Sequence, residues 1–205
     1  MAVLQYLPSE LAAKHESIRS TITVEDFFRN PKHQRLREEW CAANFAQGYY
    51  RHLQPCLVYI EEVDPQNDTD FELGVANKRY PFQITEVQEP NRRRSDEYKN
   101  YTLGKVIDED WSQGTEEGPT WIKSAIEKKL QRYGSVSNLN LLVYVNFPAY
   151  EINYTKVKEV TEASTKPFAS VWLLTGDAMA CLKVNPDLGT LNAWLGILQS
   201  AEGKT

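Results

Sequence analysis

The residues with the most chemistry to offer lie between Asp70 and Gln88, in the stretch DFELGVANKRYPFQITEVQ. Phe71, Leu73 and Val75 alternate with Glu72 and Gly74, and Tyr80, Phe82 and Ile84 alternate with Pro81, Gln83 and Thr85. That period of two predicts a pair of strands. The intervening Ala76-Asn77-Lys78-Arg79 supplies a polar connection, so a hairpin folds the first strand back beside the second. Asp70, Glu86 and Gln88 then become candidates for one cluster of oxygen ligands. Glu86 and Gln88, two apart on a strand, share a face.

Helices must position this hairpin. Ser9 to about Ile18 reads as a helix, and Thr23 is cap-like before a second short one. Asn30-Pro31 ends that helix and launches the next, with Pro in its first turn. From 32 to about 51, Leu36, Trp40 and Ala43 recur at helical spacing. With about 100° per residue, this wheel sets Glu39 at the border of the apolar stripe and turns Glu38 toward water. An apolar run at 56–60 predicts a strand before the hairpin.

After the hairpin, Pro90 precedes the basic cluster Arg92, Arg93 and Arg94, and 96–103 has helical character. Gly104, Gly114, Gly118 and Pro119 predict an irregular insertion, with Thr120 capping a helix that buries Trp121, Ile122, Ile126, Leu130 and Tyr133 and stops at Gly134. Lys129 lies just off that buried face. The nearly continuous apolar run 139–147 predicts an interior strand. A helix over 154–164, strands over 169–175 and 179–184 joined at Gly176-Asp177, and a tail packing back through Leu191, Trp194 and Leu198 complete the chain. The order predicts an α/β fold with a central mixed β-sheet flanked by helices.

The 205 residues suffice for one sizeable core, so a single domain over 1–205 is the expectation. No apolar run reaches the length of a membrane span. The apolar stretch after Met1 is short and lacks the basic flank of a secretory signal. Cys41, Cys56 and Cys181 are odd in number and widely spaced, which predicts reduced thiols and a cytoplasmic protein. His15, His33 and His52 stand apart from cysteines and acids at ligand spacing, against zinc. A net charge of −5 argues against a surface that coats nucleic acid, while leaving room for local basic patches. No phosphate-loop or dinucleotide fingerprint is present.

On these residues the chain resembles the PD-(D/E)xK nuclease-like superfamily. In that family an Asp opens one core strand, an acid-x-Lys follows on the next, and a helix often adds a Glu. Asp70 in Thr69-Asp70-Phe71, Glu86-Val87-Gln88 and Glu39 match those positions, with Gln88 standing where the lysine usually does. Ile126-x-x-Lys129-x-x-x-Tyr133 looks like the pattern of relatives whose following helix supplies the cation. The resemblance covers roughly 36–147. It implies a restriction-endonuclease-like core over about 32–147, with a C-terminal helix-and-strand extension over 150–205.

The resemblance further implies a Mg²⁺- or Mn²⁺-dependent endonuclease acting on DNA, with Asp70 and Glu86 as metal ligands, the Val87 carbonyl beside them and Glu39 as auxiliary acid. Gln88 or Lys129 would complete that site. A hard cation suits such oxygen ligands and would polarise a phosphate and generate hydroxide. Arg92, Arg93 and Arg94 would hold the phosphate backbone, and relatives suggest a homodimer. The alternatives are a non-catalytic module of the same fold that binds nucleic acid or a protein, and a regulatory or immunity-type protein binding a partner through its acidic surface. Bland readings stand beside each residue: Asp70 as a turn former, Glu39 as a solvated helix face, Lys129 as a snorkelling stem, the arginines as wet surface, and Trp121 as core where Trp111 and Trp121 would otherwise stack on bases.

Overall fold

The computed structural model describes residues 3–61, 69–90, 111–133 and 136–197. Its strands are β1 (Val3–Tyr6), β2 (Leu57–Glu61), β3 (Phe71–Val75), β4 (Lys78–Val87), β5 (Asn140–Val145), β6 (Ser170–Leu174), β7 (Ala178–Lys183) and β8 (Leu195–Gly196). The helices are α1 (Pro8–Arg19), α2 (Val24–Arg29), α3 (Gln34–His52), α4 (Trp111–Tyr133) and α5 (Tyr154–Thr165), with a 3-10 turn at Pro31–His33. All eight strands join one sheet in sequence order. β4, β5 and β6 run parallel, and antiparallel strands extend the sheet on both sides. The mixed sheet flanked by helices is therefore as expected.

Each face has its own apolar layer. Phe45, Ala46 and Tyr49 of α3 and Leu11 of α1 pack on Phe71, Leu73, Phe82, Leu142 and Trp172. On the opposite face Trp121, Ile122 and Ile126 of α4 and Val157 of α5 pack on Val87, Leu141, Val143, Val171 and Leu173. Strand β5 is buried on both faces because its odd residues serve one layer and Leu142 the other, which is why its sequence is apolar without alternation. Leu188 and Leu191 of the tail are buried in the α3 layer. Among the described residues, no helix is long and apolar enough to cross a membrane.

The hairpin turn is tighter than the sequence suggests. Ala76 and Asn77, at φ 47° and 64°, make a two-residue turn of the primed type. Lys78 and Arg79 are already in β4, opposite Val75 and Gly74. The ladder runs out at Phe71 opposite Phe82. β4 is ten residues long and β3 five, so its second half continues beside β5 with no β3 residue across from it.

Helix α4 begins nine residues before Thr120, which corrects the expected cap there and the irregular reading of Gly114, Gly118 and Pro119. The glycines are sites of close approach. A Cβ on Gly114 would lie 1.8 Å from the Pro148 carbonyl oxygen, and one on Gly118 2.7 Å from the Phe147 ring. Pro119 sits inside the helix, where it removes one amide donor without ending it. The readings that fall on Asp64 to Asp68, Arg92 to Asp110, Gly134 and Leu198 lie outside the described residues.

Gly114→Ala should destabilise the protein by about 1–3 kcal/mol, because a backbone oxygen cannot yield as a side-chain tip can. Gly176→Ala, with nothing within 4 Å of the added carbon, should fall within about 0.5 kcal/mol of wild type. Paired urea melts check this. Equal stabilities would mean that α4 does not seat on the 147–148 segment as described.

Candidate functional site

Asp70 closes the gap left by the short β3. Its amide donates to the Phe82 carbonyl at 2.9 Å, and its Oδ2 accepts the Ile84 amide at 2.6 Å. Its carbonyl accepts from Arg35 Nη1 at 3.1 Å, and the same guanidinium bonds the Glu61 carbonyl through Nη2 at 2.8 Å. Burial pushes the Asp70 carboxyl above the usual carboxylate range, opposed by the Ile84 amide and by the charges of Lys129 and Arg35. Lys129 of α4 comes from the other face, donating to Gln83 Oε1 at 2.7 Å. Gln83 is 4 % exposed and, one step beyond the Phe71–Phe82 pair, level with Asp70. Asp70, Gln83, Arg35 and Lys129 thus form one polar cluster at the end of β3.

Gln83 was not a sequence candidate. Alternation in β4 reads it as outward-facing, but α4 covers that face at this position and Lys129 reaches it, so Gln83 is buried. A glutamine in an otherwise apolar stretch was the available signal.

The two acids of α3 divide differently from the wheel. Glu39 does border the core, but it is ion-paired to Lys14 of α1 at 2.9 Å, with 11 % of its side chain exposed. Glu38 is the acid whose charge meets that of Asp70. Burial raises its carboxyl, and Asp70 raises it further, against a hydrogen bond from Gln34 at 2.9 Å and the charges of Arg35 and Arg37. A wheel centred on Leu36 and Trp40 cannot register that α1 lies along one flank of α3 and captures Glu39. The expected water-facing position of Glu38 is corrected accordingly.

Glu86 and Gln88 lie farther along the chain than Gln83, and both share a smaller cleft with Lys129. The register places Glu86 three residues beyond Gln83, about 10 Å along the strand, and alternation puts the two on opposite faces. The exposed Glu86 carboxylate accepts from Asn146 Nδ2 at 2.5 Å. Gln88, past the end of β4, lines a smaller cleft of about 350 Å³ with Trp121, Lys128, Lys129 and Arg132. In the backbone register Asp70 is level with Gln83 rather than with Glu86 or Gln88. Among the described residues, no group of three or more His, Cys, Asp or Glu is arranged to hold a metal ion. Arg92, Arg93 and Arg94 lie outside the described residues. Trp121 is core, edge-on to Phe147, while Trp111 is exposed beside Tyr150.

The larger cavity is a cleft of about 660 Å³ on the α1–α3 face. Ile84, Glu86 and Tyr144 line it from the sheet, and His15, Arg19, Phe27, Arg37, Glu38 and Trp40 from the helices. Trp40 and Tyr144 meet edge to face at 5.3 Å. The Arg19 guanidinium lies 4.8 Å from the Phe27 ring centre, and Arg37 Nη1 donates to the Phe27 carbonyl at 2.7 Å. His15 is 4 % exposed, and its buried Nε2 has no hydrogen-bond partner among the described residues. Burial holds its pKa below the usual histidine value, opposed mainly by Glu16 and Glu39. The sequence signal for His15 was its place four residues after Leu11, on the buried side of α1.

No protein-family model matches the chain, and no curated protein does. The chain is similar to a solved structure from Pseudomonas aeruginosa strain PAO1, described as a protein of unknown function of the monooxygenase superfamily. The identity is 14 %, the match covers 92 % of this chain and 94 % of that one, and the TM-score is 0.48. A likeness at that level carries no activity to this chain. None of these comparisons supports a nuclease. The resemblance to the PD-(D/E)xK superfamily is corrected, and with it the restriction-endonuclease-like core, the DNA endonuclease and the non-catalytic module of that superfamily.

Asp70→Asn keeps an oxygen for the Ile84 amide and removes the charge. A carboxyl raised in the folded state contributes stability that is full below its unfolded value and is lost as pH rises through the folded one. The variant should therefore melt with wild type near about pH 3 and at a higher temperature at pH 7. A lower melting temperature at pH 7 would mean that the ionised carboxylate, held by Lys129 and Arg35, is net stabilising.

Proposed function

We propose that this protein binds a small, flat, uncharged heterocycle, of the kind that carries ring donors and acceptors together, in the cleft between α1, α2, α3 and the β4–β5 floor. The observation that carries the reading is the make-up of that wall. Aromatic surfaces from Trp40, Tyr144 and Phe27 stand beside Glu38, Glu86, Arg37 and Gln34 within about 660 Å³. Clefts of that size, largely apolar with a few convergent polar groups, are the usual form of small-ligand sites. Glu16, Glu38 and Glu86 against Arg19 and Arg37 present both signs of charge. Such a wall suits a ligand that donates and accepts more than one carrying a net charge.

Glu38 adds chemistry to binding. Its carboxyl is raised by burial and by Asp70, so it holds a proton closer to neutrality than an exposed glutamate. Such a group can donate to a ring nitrogen or accept from a ring N–H, and it is the residue placed for proton transfer to a bound ring. A second reading, favoured by the field between Glu38 and Asp70, keeps a divalent cation. Mg²⁺ retains several waters and is commonly held by one or two carboxylates, so Glu38, which of these two acids is the one on the cleft wall, would supply a site that the ligand completes.

Calorimetric titration with free purine and pyrimidine bases and their nucleosides, with and without Mg²⁺, tests both readings. At least one base should bind with an affinity that Trp40→Ala reduces by about 1–3 kcal/mol, the usual worth of stacking a base on an aromatic ring. A Mg²⁺ requirement abolished by Glu38→Gln would favour the second reading. Failure of every base and nucleoside to bind at millimolar concentration would sink the proposal.

A further inference from the structure

We propose that the smaller cleft, at the end of β4, binds the phosphate of a small phosphate monoester. One wall is a stripe of α4. Trp121, Ala125, Lys128 and Arg132 recur every three or four residues, with Ser124 beside them, so they line up along one side of the helix. That side faces Thr85, Val87 and Gln88 across about 350 Å³. Gln88 directly follows β4, the first of the three parallel strands. The carboxyl ends of parallel strands are where α/β sheets commonly hold ligands.

The charge of this cleft runs against that of the chain. The whole carries −5, yet the described lining has the cations Lys128, Lys129 and Arg132 and one acid, Glu86. Alternation sets Glu86 on the Ile84 side of the strand, where it accepts from Asn146 Nδ2. Lys128 and Arg132, four apart, are a like-charge pair that disfavours the helix. Among the described residues neither has an acid partner, whereas Lys123 of the same helix is paired with Glu127 at 3.8 Å. Lys129 is held in place by Gln83 Oε1 at 2.7 Å. An anion seated among these cations turns their repulsion into attraction.

Neutral donors stand beside them. Among the described residues the side chains of Thr85, Gln88 and Ser124 make no hydrogen bond, while other helix hydroxyls bond back to the helix, Thr115 to Trp111 and Thr161 to Val157. These three residues are half-buried and Lys128 and Arg132 are exposed, so the wall is open to a ligand from solvent. A phosphate monoester carries about −1.5 to −2 charges at pH 7 and three strong acceptor oxygens. A carboxylate, with less charge and fewer oxygens, would leave part of this donor set unused. Val87, Pro90 and Ala125 supply apolar surface for the organic part of the ester.

Calorimetric titration of the full chain with phenyl phosphate at fixed ionic strength tests the proposal, with inorganic phosphate, benzoate and an oligodeoxynucleotide lacking terminal phosphates for comparison. Phenyl phosphate should bind about tenfold more tightly than benzoate, which has the same ring. Lys128→Gln with Arg132→Gln should weaken it about tenfold or more. Lys123→Gln with Lys166→Gln removes as much charge elsewhere and should leave it unchanged. Amide spectra of wild type should shift at Thr85, Gln88 and Ser124. Absence of binding by both phosphates at millimolar concentration overturns the proposal. Equal binding of benzoate does so too, as does an equal loss in the two double variants, which would mean diffuse attraction to positive charge. Tighter binding of the oligodeoxynucleotide would make the cleft a surface for phosphodiesters and overturn the monoester reading. Each outcome is independent of what occupies the larger cleft.

Discussion

The hydrogen bond from the Ile84 amide to Asp70 Oδ2 is the contact on which the polar architecture depends. β4 outruns β3, and an unpaired buried amide at the point where they part would cost about 1–3 kcal/mol. A side-chain oxygen at the first residue before β3 reaches that amide, while the Asp70 amide satisfies the Phe82 carbonyl. The ladder is thus prolonged one step by a carboxylate in place of backbone. The solution places a charge where water is scarce, and Lys129 and Arg35 are arranged from opposite faces of the sheet to offset it. Strand length, burial and the placement of two cations are one problem with one answer.

From Asp70 the consequences pass into the cleft. Its field acts on Glu38, across the N-terminal part of α3, so the acid on the cleft wall is tuned by a residue that does not line the cleft. The neighbouring Glu39 escapes that role because Lys14 binds it at the α1–α3 seam. The apolar face of α3 that packs on the sheet sets its rotation, and that rotation leaves Glu39 beside Lys14 of α1. The same seam holds His15 against Phe27. α1 is in this sense the element that decides what the cleft presents, although its own sequence is barely amphipathic.

Much of the architecture was legible from period and punctuation. The alternation of 71–75 and 80–85, the apolar run of β5 and the cap of α2 follow from local chemistry that does not need the rest of the fold. What was not legible required knowledge of a neighbour. Gly114 and Gly118 look like breaks until Pro148 and Phe147 are set against them. Gln83 looks outward until α4 covers its face. Glu38 and Glu39 are one residue apart, and only the position of α1 separates the solvated-looking acid that meets Asp70 from the core-bordering acid that does not. Arg92, Arg93 and Arg94, though plain in the sequence, belong to no described part of the site.

The nuclease-like reading failed for a related reason. An acid at a strand start and an acid-x-Gln at the end of the next strand define a spacing in sequence, but a cluster needs a register. Here the two-residue turn at Ala76-Asn77 fixes that register, and it sets Asp70 level with Gln83. Because side chains alternate, moving three residues along β4 changes the face as well as the distance. Glu86 accordingly shares its side of the sheet with Ile84 and looks into the same cleft as Trp40 and Tyr144. The acid that seemed to complete a metal site instead contributes, with Glu38 and Arg37, to a wall where hydrogen-bonding groups of both kinds surround aromatic rings. Its partner Asn146 follows β5 directly, so the parallel pairing of β4 with β5 holds that carboxylate at the rim.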